Sequence, residues 1–99
     1  MIHVLAIITA KPGQREALLR IFNANVPAVR AEAGCIEYGA AVDVEGADPA
    51  FGADTFVVVE KWQSLAALKA HASAPHMAAY GQKTKDMVAR RAVHVLTDA

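Results

Sequence analysis

Apolar residues near the start of the chain fall at both parities: in the run IHVLAIITA, Ile2, Val4, Ala6 and Ile8 alternate with Leu5 and Ile7. Such a β-branched run predicts a strand buried on both faces, spanning residues 2 to 10. Pro12 and Gly13 end it. From Gln14 to about Ala33 the period changes, and Leu18, Ile21, Phe22, Val26 and Val29 recur at helical spacing to form one apolar stripe. Pro27 removes one helical hydrogen bond and crowds the preceding turn, so a kink or break is expected near Asn23 to Val26. Gly34 supplies a C-terminal stop.

Cys35 to Val44 reads as a second strand, followed by an exposed loop rich in turn formers, Glu45-Gly46-Ala47-Asp48-Pro49 with Gly52 and Asp54. In the third strand, TFVVVEKW, Phe56, Val58, Glu60 and Trp62 share one face while Val57 and Val59 occupy the other. Ser64 is placed to cap a helix carrying Leu65, Leu68, His71 and Ala72 along one side. Pro75 opens a further helix to about Ala89. Arg91 to Thr97 forms a fourth strand. Strand, helix, strand, repeated, is the order of a ferredoxin-like α+β sandwich of two split βαβ units. Helices cover only one face of such a sheet, yet the first and third strands are apolar on both. A second copy laid sheet against sheet is the simplest way to hide the other face, so a homodimer is expected.

Composition strengthens that expectation. The 99 residues make one domain, 1–99, and 55% of them are hydrophobic against about 45–50% in an average protein, with only 20% charged. Ten basic residues balance ten acidic ones, so no net field draws the chain toward nucleic acid or anionic lipid. The N-terminal apolar run is too short to span a bilayer and lacks the basic flank of an export signal, which makes the cytoplasm the expected location. Cys35 is the sole cysteine and has no partner for a disulfide or a metal site. His3 and His94 lie on neighbouring strands of the expected sheet. Without a cysteine or carboxylate at matching positions, they make a poor metal site.

Two segments carry a family resemblance. One runs from Val26-Pro27 through Glu32-Ala33-Gly34-Cys35; the other, from Val59 to Tyr80, includes EKWQSLAALKAHASAPHMAAY with its Glu-x-Trp, His and Pro-His-Met elements. In the order and spacing of these elements the chain resembles the antibiotic biosynthesis monooxygenase family, and within it the quinol monooxygenase branch. The resemblance implies a dimeric α/β-barrel of ferredoxin-like subunits, each with a pocket between sheet and helices. It also implies oxidation of a small phenol, quinol or polyphenol by molecular oxygen, with no metal, flavin or other cofactor. Triplet oxygen reacts poorly with closed-shell molecules, but an electron-rich aromatic anion can give it one electron. The protein then needs an apolar pocket, a proton acceptor, and groups that hold the anion and the reduced oxygen.

Each candidate residue also has a plainer structural reading. Trp62 matches the family's tryptophan as a wall for a flat substrate, or is a core tryptophan. Glu60, two residues earlier on the same face, either binds substrate or pairs with a cation. His71 borders the apolar stripe of its helix and is the first choice for the base; otherwise it is a partly buried histidine bonded to a backbone carbonyl. His76 and Tyr80 lie four apart on one helical face, where they line the pocket mouth or steady His71, unless Pro75-His76 is simply a capping pair. Tyr38 offers a hydroxyl to a substrate oxygen or is a half-exposed strand tyrosine. Lys83, Lys85, Asp86, Arg90 and Arg91 read as a solvated face.

Three other functions share these residues. An isomerase of a small hydroxyketone would use the same base and no oxygen. Heme degradation also uses a tryptophan and a histidine in this region, together with an asparagine on the first strand, which IHVLAIITA lacks. A dimeric, non-enzymatic binding module for a small aromatic completes the set.

Overall fold

The computed structural model describes residues 1–99 and places β1 at Ile2–Ala10, α1 at Arg15–Arg30, β2 at Cys35–Ala41, β3 at Thr55–Trp62, α2 at Leu65–Ala72, α3 at Pro75–Thr84 and β4 at Val88–Thr97. The four strands form one antiparallel sheet in the order β2-β3-β1-β4. This is the ferredoxin-like α+β topology expected from the alternation of periods. α1 lays Leu18, Phe22, Val26 and Val29 on the sheet, against Val4, Ala6 and Ala10 of β1 and Phe56, Val58 and Trp62 of β3. The odd positions of β1 and β3 project the other way. There Leu5 stands beside Val59 and His94, and Ile7 beside Val57 and Ala92, with no helix over them. Leu5 is 37% exposed and Leu96, on the same face, 46%.

Several boundaries differ from the sequence expectation, each for a local reason. α1 runs through Pro27 without a break, because Pro27 falls in its last turn and the only carbonyl that loses a partner is that of Asn23, which is exposed. The helix ends at Arg30 rather than Ala33, where the Glu32 N–H bonds the Val29 carbonyl at 3.0 Å and tightens the turn. β2 stops at Ala41, short of Val44. Asp43 instead closes the loop, its carboxylate accepting the N–H groups of Phe51 at 3.0 Å and Gly52 at 2.9 Å, and these bonds hold its carboxyl below the usual range. α3 ends at Thr84, whose hydroxyl donates to the Tyr80 carbonyl at 2.9 Å, so β4 begins at Val88, before Arg91.

Two local devices fix α2. The Ser64 hydroxyl oxygen accepts the Ala67 N–H at 3.1 Å, as a cap should. Gly34 adopts φ +84°, and a Cβ added there would lie 2.6 Å from the Cβ of Ala67. Left-handed strain and this clash act together, so Gly34→Ala is expected to destabilise the fold by roughly 2–4 kcal/mol. Thermal melting checks this. An unchanged midpoint would mean that the close approach of this turn to α2 is not a constraint.

Candidate active site

A cavity of about 530 Å³ opens between the helix-bearing face of the sheet and the helices α2 and α3, within the usual range for a small-molecule site. Apolar side chains dominate its wall, including Val4, Ala6, Phe22 and Met77, and Tyr38, Glu60, His71, Tyr80 and Arg91 are among its polar groups. His71 reaches it because it follows Leu68 by three residues, on the side of α2 that packs against the sheet.

His71 is held by a carboxylate from the turn after α1. Its Nδ1 lies 2.8 Å from Oε2 of Glu32, and Nε2 of His76 lies 2.8 Å from the same oxygen. A carboxylate oxygen accepts, so the facing nitrogen of each ring carries the hydrogen. That assignment leaves Nε2 of His71 as the acceptor nitrogen. It has no protein partner and is not sealed from its surroundings, and His71 lines the main cavity. His76, at the first turn of α3, instead lines a second cavity of about 420 Å³ between α1 and α3, with Arg20, Asn25 and Lys83. Tyr80 borders both cavities.

Trp62 is fully buried and does not line the main cavity. Its ring lies behind His71, with centroids 4.7 Å apart, and its indole N–H donates to Oε1 of Glu60 at 2.9 Å. It therefore backs the imidazole and orients the carboxylate, and it is no wall for a flat ligand. Tyr38 is buried, not half-exposed, stacked on Phe22 at 5.4 Å. Burial, reinforced by the nearby charge of Glu60, pushes its hydroxyl well above the usual range, so Tyr38 stays a neutral donor. Burial also raises Tyr80, with Arg91 opposing.

Glu60 is a buried carboxylate on the cavity wall. Burial raises its pKa; the Trp62 hydrogen bond and the charge of His71 act against that shift without cancelling it. A carboxyl with a raised folded-state pKa adds stability below the ordinary carboxylate range, and that contribution is lost as pH rises through its folded value. Glu60→Gln, which keeps an acceptor for the indole, is therefore expected to melt higher than wild type at pH 7, the difference vanishing in acid. Equal midpoints at both pH values would contradict the assigned desolvation.

Sequence reasoning gave Glu32 no role, because a lone carboxylate in a turn carries no periodic signal. It also assigned Lys85 and Arg91 to a solvated face; both are exposed, yet they line the main cavity. His3 does have a carboxylate partner: Asp98 Oδ1 lies 2.6 Å from its Nε2 and sits beyond the expected fourth strand. No helix is long and apolar enough to cross a membrane.

Relatives point in one direction. The sequence profile described as antibiotic biosynthesis monooxygenase matches residues 1–83. The probable quinol monooxygenase YgiN of Escherichia coli strain K12 is 37% identical over 100 residues, covering 97% of this chain and 96% of its own. Among solved structures, PA3566 from Pseudomonas aeruginosa superposes with a TM-score of 0.84 at 30% identity, over 99% of this chain and 93% of that one. Rv0793 from Mycobacterium tuberculosis does so with a TM-score of 0.82 at 28% identity, over 99% and 94%. With a family match spanning most of its length and a full-length relative above 30% identity, the chain belongs to the antibiotic biosynthesis monooxygenase family.

Proposed function

We propose that the protein is a cofactor-independent monooxygenase, acting as a homodimer on a small quinol or polyphenol with molecular oxygen. The observation that carries this reading is the free Nε2 of His71, whose ring is held by Glu32 through Nδ1 and lines an apolar cavity. The base takes a phenolic proton, and the imidazolium so formed is stabilised by the Glu32 carboxylate. Tyr38 and Tyr80, whose hydroxyls have no protein partner, donate to the substrate oxygens, and Arg91 offsets the negative charge at the cavity wall. The electron-rich anion passes an electron to oxygen; one oxygen atom ends on the ring and the other leaves as water. The quinol itself provides all four electrons, so no external reductant is required. YgiN, bearing the name of a quinol monooxygenase, supports the substrate class.

The experiment is oxygen uptake over a panel of hydroquinones and polyphenols in chelator-treated buffer. Uptake well above the buffer rate with at least one quinol is the expected result. No uptake across the panel, with turnover of a hydroxyketone under strict anaerobiosis, would favour the isomerase; saturable binding without chemical change would favour the binding module.

A further inference from the structure

Glu32, His71 and His76 come from three separate elements, and their ligand-type atoms lie within 4.8 Å of one another. We propose that these three side chains form a binding site for a zinc-class divalent ion, and that occupancy switches His71 off as a base. Two imidazole nitrogens already point at one carboxylate oxygen, each 2.8 Å away. An ion of this class takes bonds of about 2.0–2.2 Å to imidazole and carboxylate, which sets neighbouring donors roughly 3.3–3.6 Å apart, so the ion replaces the two ring hydrogens and each nitrogen must draw back from the carboxylate oxygen by roughly half an ångström. His76 can make that adjustment, since its side chain is 30% exposed while those of Glu32 and His71 are 14% and 7% exposed. Three protein donors then leave a fourth position for water.

The donor set also selects the ion. Two imidazoles and one carboxylate suit zinc, cobalt, nickel or copper, whereas magnesium and calcium require a shell of oxygens. Arg20 and Lys83 border the cavity on which His76 opens and disfavour any loosely held cation. Only an ion that bonds imidazole directly is retained there.

The functional consequence follows from the tautomer. With no ion, Nδ1 of His71 carries the hydrogen and Nε2 accepts. An ion on Nδ1 takes the lone pair of that nitrogen, and the ring hydrogen moves to Nε2. No proton is gained or lost overall, but the nitrogen without a protein partner becomes a donor and can no longer accept a phenolic proton. Inhibition by zinc rests on the oxygenase reading above; the binding site itself does not.

Chelator-treated, tag-free protein titrated with Co2+, followed by its visible absorption, tests the site without reference to turnover. One Co2+ per chain is expected, displaced by Zn2+. Affinity should fall at least tenfold in His76→Ala and in Glu32→Gln, both confirmed as folded by circular dichroism, and should be unchanged in His3→Ala, which removes the other histidine-carboxylate pair. The proposal is overturned by an absence of binding below millimolar Co2+, by affinity indifferent to both site variants, or by loss that tracks His3→Ala. Stoichiometric binding in a protein that consumes no oxygen with any quinol would leave the metal site standing and remove only the oxygenase reading.

Discussion

His71→Ala is expected to lower kcat for quinol-dependent oxygen uptake by about 10²–10⁴-fold, the usual contribution of a positioned general base. The more telling variant is His71→Asn, because its amide N–H takes the approximate place of Nδ1–H and preserves the bond to Glu32 while removing the acceptor at Nε2. It should be about as slow as the alanine variant, though closer to wild type in thermal stability. Glu32→Gln separates orientation from charge: the amide oxygen still accepts from Nδ1–H, but the imidazolium loses its counter-ion. A charge-assisted hydrogen bond is worth about 1.5–3 kcal/mol, so a loss of roughly 10–100-fold is expected, smaller than that of His71→Ala. Steady-state kinetics with one quinol checks all three. Wild-type turnover in His71→Asn would show that another group removes the proton.

Leu5→Glu is expected to separate the proposed dimer into monomers. Leu5 sits at the middle of the central strand, flanked by Val59 and His94, on the sheet face that no helix covers. A carboxylate there would be desolvated between two packed sheets with only the His94 imidazole beside it, at a cost of about 3–5 kcal/mol, enough to weaken association by more than about 100-fold. Sedimentation at micromolar concentration should give twice the chain mass for wild type and the single mass for the variant. A monomeric wild type would contradict the pairing outright. A variant that stays dimeric would move the interface to another surface, such as the exposed edge strand β4.

The fold was legible because its signals are local and periodic. The alternation in TFVVVEKW predicts which residues of β3 are buried, and Ser64 and Pro75 mark the two helix starts where the structure has them. Where local signals compete, the sequence misleads: Pro27 announces a break that its place in the last turn makes unnecessary, and Asp43 ends β2 through loop contacts that no period encodes. The candidate site was half legible. Trp62, His71 and His76 stand out by residue type and by family resemblance, and the structure brings the rings of Trp62 and His71 together. Glu32, thirty-nine positions before His71, joins His71 and His76 only through the tertiary fold. Arg91 is another such case. Its flank of charges reads as solvent-facing, yet the shortened α3 and the early start of β4 bring it to the cavity wall.

Insertion of one oxygen atom into a quinol from molecular oxygen is most directly measured with ¹⁸O2, by mass spectrometry of product sampled before exchange with water. One labelled atom in the product ring, with the second recovered as labelled water and no peroxide accumulating, is the predicted result. Quinone lacking label, with hydrogen peroxide formed in equal amount, would mean that the cavity oxidises its substrate without oxygenating it.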